Sequence, residues 1–392
     1  MRIIGETHIP FLSYRKIALT LSALVIAAGL VYELFGPGLN LGIDFVGGTQ
    51  VTIKFREEPD LGELREAISH LTSGTPLIQR FDEAEKHEIL IRVENPAGEE
   101  GDFTRPILEL LHQDFNSEIA DRFDLNTQGS KELLDLLVAA DPDGMGGDAE
   151  AREAYYRPMA DAVLEHRKKT GIFGSTAELA DIEGLSESTR AYLENTAVVG
   201  AFSVLGAESV GPSVGADLQK KAMLAIGFSL VGMLIYIWIR FQLPYAVGAV
   251  VALFHDVLIT LTAIAVTHRE INLPTVAALL TLVGYSVNDT VVVFDRVREN
   301  LRLRRGEDLE PLMDLSINQT LSRTLITSGT TLVVVLSLFI FGGDVINTFA
   351  FVLLVGIIVG TYSSVFVASP VAMAMNKVLV SRRERRRLKG RR

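Results

Sequence analysis

The chain has no cysteine. That absence excludes disulfides, thiolate metal ligands and thiol nucleophiles. It leaves the compartment open, because a large domain can fold outside the cytoplasm without disulfides. No G-x-x-x-x-G-K followed by Ser or Thr occurs in the 392 residues, which excludes a P-loop. Basic residues are scarce over one long stretch. Residues 36–221 carry 35 acidic and 17 basic side chains, a balance of −18. A surface this acidic repels nucleic acid and phosphate partners. The rest of the chain has the opposite balance, +7, within a net charge of −11.

What is there in excess is apolar sequence, 48% of all residues, gathered into runs too long for a globular core. Six qualify as spans: Ile17–Leu34, Ala222–Ile239, Leu243–Val266, Leu273–Phe294, Thr324–Phe341 and Phe349–Met375. At ~1.5 Å per residue each crosses a hydrocarbon layer about 30 Å thick. The first run follows Arg2, Arg15 and Lys16 and could be read as a signal peptide. No small-x-small cleavage site with a polar flank follows it, so it is expected to stay as an anchor.

Lys and Arg in the short loops set the orientation. They collect at the amino terminus, in the 295–323 loop and in the tail from Arg382 to Arg392. Both termini and the 295–323 loop are therefore expected in the cytoplasm, in a multi-pass membrane protein. The acidic segment between the first two spans then lies outside. The basic tail needs no nucleic acid to explain it, since topology and anionic headgroups suffice.

The outer segment reads as α+β. Val51, Ile53 and Phe55 alternate along a strand over 48–55. Leu61, Leu64, Ala67, Ile68 and Leu71 have helical spacing behind Asp60. Strands over 77–81 and 88–93, a helix over 104–115 with Pro106 in its first turn, and a strand within 198–210 complete β-α-β-β-α-β, the ferredoxin-like order. The fold expected is thus a bundle of six transmembrane helices plus an extracytoplasmic ferredoxin-like domain carrying a helical insertion. The boundaries are 1–36 for the amino terminus and first span, 37–116 with 196–216 for the ferredoxin-like domain, and 117–195 for the insert. Residues 217–376 hold spans two to six, and 377–392 the basic tail.

Within the insert, Asp141-Pro-Asp-Gly-Met-Gly-Gly-Asp148 suggests a calcium loop, but Met145 and Arg152 fall on ligand positions and the match fails. No metal and no cofactor is expected. The stretches 124–134 and 162–179 resemble tandem helix-hairpin-helix modules, with the usual hairpin reduced to Glu183-Gly184-Leu185-Ser186. That resemblance implies helix starts facing DNA phosphates. The insert's balance of −9 speaks against DNA and for a protein-contacting or architectural role.

Ionisable groups inside spans are costly and so informative. Asp256 lies near the middle of the third span, on a stripe with Gly248, Ala252 and Thr260 that invites a neighbouring helix. Asp289 lies near the cytoplasmic end of the fourth, in a polar cluster with Ser286, Asn288, Thr290, Asp295 and Arg296. Ala277, Thr281, Gly284 and Asn288 form a second small stripe there. Arg323 opens the fifth span at a similar depth, where a pair with Asp289 is geometrically feasible. His255 beside Asp256 has no Ser, Cys or metal partner at a telling spacing, so no enzyme is expected. Two readings stand. The acids are structural glue, or they load and release protons, since low dielectric favours the protonated form of a carboxyl and a nearby Arg opposes this. One charge crossing the membrane is worth about 2.3 kcal/mol per 100 mV.

Several motifs resemble those of the SecD/SecF translocase family of the resistance-nodulation-division superfamily. Leu41-Gly42-Ile43-Asp44-Phe45-Val46-Gly47-Gly48-Thr49 is similar to the family's entry motif, and Val210-Gly211-Pro212-Ser213-Val214-Gly215 to its exit motif. Leu253-Phe-His-Asp-Val257, the run from Val283 to Asn300, and Gln319-Thr-Leu-Ser-Arg-Thr324 resemble the SecF branch. The resemblance implies one half of a twelve-span unit. A SecD subunit would supply the other half, beside the SecYEG channel and YajC. The unit would use protons to move exported unfolded polypeptide without hydrolysing ATP. It implies a proton-transport role for Asp289 and Arg323, with Asp256 as a further candidate. The glycines at 42, 47 and 48 read either as a plain linker or as a hinge between anchor and domain. A small-molecule or lipid transporter half of the same superfamily, or a passive scaffold, is the alternative.

Overall fold

The computed structural model describes residues 7–71, 76–80, 86–94, 102–119, 122–304 and 306–389. The chain divides into two compact units. One runs to Asp44 and resumes at Asp217; the other is Phe45–Ala216.

The first unit is helical. A 3-10 turn, Phe11–Tyr14, leads into α1 (Arg15–Phe35). After it comes the two-residue strand β1 (Asn40–Leu41). The short turn of helix α2 (Ile43–Val46) follows, running across the division between the units.

The second unit opens with β2 (Gly48–Phe55), then α3 (Leu61–Ser69), β3 (Leu77–Arg80), β4 (Glu88–Val93) and α4 (Thr104–Phe115). The expected strand end at Phe81 lies outside the described residues. Next come β5 (Phe123–Asp124), α5 (Ser130–Ala140), α6 (Ala149–Thr170), α7 (Glu187–Thr196), β6 (Ala197–Val198) and β7 (Phe202–Val210). The antiparallel sheet is ordered β3-β4-β2-β7, which is the ferredoxin-like arrangement. Its inner face carries Val51, Ile53 and Phe55 from β2. They pack on Leu64 and Ile68 of α3 and on Ile107 and Leu111 of α4. Asp60 caps α3 by accepting the Gly62 and Glu63 amides, which stops the strand-to-helix turn from fraying.

The insert has its own core, built around Leu133, Leu137, Tyr156, Ala160, Val163, Phe173 and Leu193. A 3-10 helix over Thr176–Asp181 precedes α7. The Asp141–Asp148 loop folds on itself. Asp141 Oδ1 accepts from the Tyr156 hydroxyl at 2.8 Å and from the Met145 amide, and Oδ2 from the Gly146 amide. The Asp143 carboxylate accepts the Ser186 and Thr189 hydroxyls at the start of α7. These acids are used to close the turn, and among the described residues no group is placed to hold a metal ion.

The chain then re-enters the first unit along α8 (Pro212–Arg240), followed by α9 (Leu243–Val266), β8 (Glu270–Ile271), α10 (Leu273–Leu303) and α11 (Leu309–Phe341). The last span is α12 (Gly343–Ser363), one π turn (Ser364–Ala368) and α13 (Ser369–Lys389). Among the described residues, six segments are long and apolar enough to cross a membrane. The third, fourth and sixth form the packed centre, with 50%, 56% and 56% of their apolar windows buried, against 6% to 17% for the others. The side chains of the basic tail from Arg382 onward lie outside the described residues.

The entry and exit motifs interlock. Gly47 and Gly48 have φ of +81° and +137°, backbone that only glycine adopts without strain. A Cβ at Gly47 would stand 2.9 Å from Pro212 Cα, and one at Gly215 3.1 Å from the Gly47 nitrogen. Gly47→Ala is therefore expected to destabilise the second unit by about 1–2 kcal/mol from backbone strain alone, read as a lower thermal midpoint of the full chain. The insert makes a second test. Burial inside its core pushes the Tyr156 phenol from 10.0 up to about 12. The folded state holds this proton more tightly than the unfolded one, so its stabilising effect is present below pH 10 and fades as pH rises toward 12. A phenolate absorbance titration should lose its highest step in Tyr156→Phe.

Candidate functional site

The site grows from two carboxyls on neighbouring helices. Asp256 sits on α9 and is fully buried. The stripe predicted around it, Gly248, Ala252 and Thr260, is buried with it. A Cβ at Gly248 would stand 2.6 Å from the Ala368 carbonyl oxygen, so the bare glycine brings α9 against the π turn of the last span. Asp256 Oδ2 accepts the Ser286 hydroxyl from α10 at 2.6 Å and the Ser363 hydroxyl from α12 at 2.8 Å. Its Oδ1 lies 2.8 Å from Nδ1 of buried His255.

Asp289 sits one turn beyond Ser286 on α10 and is 3% exposed. Its Oδ2 accepts the Ser328 hydroxyl from α11 at 2.9 Å. Thr361 of α12 donates in turn to Ser328 at 2.9 Å and stands 3.4 Å from the same carboxyl oxygen. Both acids thus meet hydroxyls rather than the outer surface of the bundle. α10 and α12 serve both: Ser286 and Asp289 from one, Thr361 and Ser363 from the other. These helices come together because Gly356 and Gly360 leave room for Leu282 and Ser286; a Cβ at Gly360 would touch the Ser286 side chain at 3.2 Å.

The remaining expected residues are distributed differently. Arg323 is exposed on α11, and no ion pair joins it to buried Asp289. The direct pair foreseen from the sequence is therefore not formed in this structure. Thr290 is buried and its hydroxyl reaches the Ser286 carbonyl. Asn288 is exposed, as are Ala277, Thr281 and Gly284, so the second small stripe faces out of the bundle and not into it. Asp295 pairs with Arg240 at 3.6 Å, and Arg296 with Glu299 and Gln319. These groups tie the ends of helices and do not join the acid cluster.

A clamp at the other end of α10 was only half visible in the sequence. β1 and β8 pair in parallel, Asn40 with Glu270 and Leu41 with Ile271, and the Gly42 amide donates to the Ile271 carbonyl at 2.8 Å. A Cβ at Gly42 would stand 2.3 Å from Glu270 Oε1. The Asp44 carboxylate accepts the Leu273 amide at 2.8 Å, capping the first turn of α10 from a distant segment. Nearby, the Arg269 guanidinium lies 4.4 Å from the Phe351 ring and 5.6 Å from Phe339, and donates to Asn347. Sequence reading missed Arg269; a lone Arg between two spans was the available signal. Asp44→Ala is expected to cost ~0.5–2 kcal/mol, the range for a lost cap, while Asp44→Asn keeps the acceptor and most of the stability. Amide exchange at Leu273, faster in the Ala variant, reads this directly.

The relationships of the chain fit this geometry. Residues 190–378 match the family of the protein export membrane protein SecD/SecF, C-terminal, and residues 34–58 match the SecD/SecF GG motif. The chain is 39% identical over 386 residues to a protein translocase subunit SecF of Koribacter versatilis, covering 95% of this chain and 93% of that one. It is 35% identical to one of Rhodothermus marinus, covering 98% of each. Among solved structures it is similar to a crystal structure of SecDF, a translocon-associated membrane protein from Thermus thermophilus. The TM-score is 0.63 and the identity 27%. The match covers 95% of this chain and 39% of that one, so this chain spans well under half the length of that SecDF. A six-span bundle with a ferredoxin-like domain between its first two spans, glycine-rich junctions at both ends of that domain and buried acids on its third and fourth spans place this chain in the SecD/SecF family of protein export membrane proteins.

Proposed function

We propose that this chain works as the SecF-type subunit of the Sec protein translocase, and that it couples proton movement through its helices to polypeptide movement on the outer side. It is a non-enzymatic multi-pass membrane protein whose six-span bundle is completed by a SecD subunit. SecYEG, YajC and an exported unfolded polypeptide are the further partners. The termini face the cytoplasm of a bacterial inner membrane, as the placement of Lys and Arg requires. The ferredoxin-like domain then faces outside, and the insert gives it a protein-contacting surface.

The observation that carries the proton reading is the pair of buried carboxyls sharing α10 and α12. Asp256 accepts the hydroxyls of Ser286 and Ser363, and Asp289 that of Ser328, which Thr361 backs, so three helices, α10, α11 and α12, supply hydroxyls to the two acids. Buried ionisable groups held in this way mark proton relays. Arg323 closes on Asp289 in another conformation and lets go in this one, which alternates the charge state of the acid. The outer end of α10 bears on β1 and Asp44, directly before the glycine junction at 47 and 48. A shift of α10 with its proton load therefore reaches the segment that leads into the outer domain.

The test is reconstitution of the chain with its SecD partner in proteoliposomes. Asp289→Asn and Arg323→Ala should each abolish export driven by a proton gradient while ATP-driven export continues. Undiminished gradient-driven export in Asp289→Asn sinks the reading. Crosslinking of a translocating polypeptide to the outer domain separates protein export from small-molecule transport.

A further inference from the structure

One buried titratable side chain has no part in the scheme above. His255 is 6% exposed on α9. Its Nδ1 faces Asp256 Oδ1 at 2.8 Å, while its Nε2 is buried with no hydrogen-bond partner among the described residues. Such a nitrogen is an anomaly, because buried polar atoms are nearly always paired.

Asp256 Oδ2 accepts two hydroxyls, from Ser286 and Ser363, and its Oδ1 faces His255 Nδ1. An ionised Asp256 makes Nδ1 the donor, which leaves Nε2 as the bare acceptor nitrogen of the imidazole. The ring stacks on Tyr362 with centroids 6.1 Å apart, and the Tyr362 hydroxyl donates to the Ala18 carbonyl and lies 3.2 Å from the Ser22 hydroxyl of the first span. The titratable groups about the ring are Asp256 on its own helix and Tyr362 on α12. α10 contributes Ser286 and, a turn on, Asp289, and α1 contributes Ser22. Directly after Tyr362 and Ser363 the helix widens into the π turn, a distortion frequent at functional sites. It is this stretch of the last span that aims Ser363 at Asp256 and Tyr362 at His255.

We propose that His255 is the proton-carrying group of the third span, oriented by Asp256 and exchanging its proton at Nε2. It rests on the proton-coupled reading above and adds the carrier that reading lacks. In the loading step an N–H bond forms at Nε2 with a proton from water, and Nδ1–H stays donated to Asp256. The pair passes from a net charge of −1 to zero. In the release step the same N–H bond breaks and the proton returns to water on the other side of the barrier. Asp256 is a positioning residue throughout: it fixes the tautomer and the ring plane and neutralises the imidazolium.

The experiment uses the chain reconstituted with its SecD partner, reading proton flux against pH. His255→Phe keeps the ring packing and His255→Asn keeps a donor to Asp256. Both are expected to lower flux on the order of 100-fold, the lower part of the range for a positioned proton-transfer group, and to flatten the pH profile. Wild-type flux and profile in His255→Asn would overturn the proposal, since a donor to Asp256 is then all that the site requires. If that occurs while Asp289→Asn abolishes flux, the proton-coupled reading survives without His255. A second measurement does not depend on flux. Imidazole 15N resonances of the full chain, with His255 assigned by its loss in His255→Asn, should show Nε2 gaining a proton as the sample is acidified. One unchanging neutral tautomer throughout overturns the proposal as well.

Discussion

A carboxyl group in a bundle whose outer side meets hydrocarbon must find every hydrogen-bond donor within the bundle, or it does not stay there. Asp256 and Asp289 meet that demand with hydroxyls, and the packing of the central helices follows from it. Ser286, Ser328, Thr361 and Ser363 reach a carboxyl only if four helices approach closely. The close approach depends on Gly248, Gly356 and Gly360, each of which faces an atom that a methyl group would strike. The π turn of the last span belongs to the same solution, since it lets α9 lie against the Ala368 carbonyl.

α10 is the element on which the two ends of the molecule's chemistry meet. Its first turn is held by Asp44 and by the short parallel ladder of β1 and β8. Its middle carries Ser286 and Asp289, and Asn300 near its end bonds Ser316 on α11. A helix of 31 residues is a single stiff rod, so its capped first turn and its acid-bearing middle form one rigid element. Past Asp44 the chain reaches Gly47 and Gly48, where positive φ favours glycine.

The spans were legible because a run of some twenty uncharged residues has no other low-energy home. The ferredoxin-like order was legible from alternation in 48–55 and helical spacing in 61–71 and 104–115, since those faces are buried on one side only. The two acids stood out for the cost of their charge. Their partners did not. Ser363 lies 107 residues from Asp256, and Thr361 72 residues from Asp289. Hydroxyls on apolar helices usually turn back to a carbonyl of their own helix, as Thr281, Thr320 and Ser337 do here, so nothing local tells which will turn away. The same limit applies to small-residue stripes. Gly248–Thr260 is buried and Ala277–Asn288 is exposed, although their patterns are alike. Arg323 showed the reverse problem: similar depth on adjacent spans made a pair with Asp289 feasible, but depth does not fix azimuth, and Arg323 is exposed with no ion pair to Asp289.

The β1–β8 ladder has only two rungs, against the six and eight that β2 shares with its neighbours. Both of its strands belong to the unit that holds the spans, and residues 40–44 are fastened there by this short ladder, the Gly42 amide and the Asp44 carboxylate, hydrogen bonds worth about 0.5–1.5 kcal/mol each.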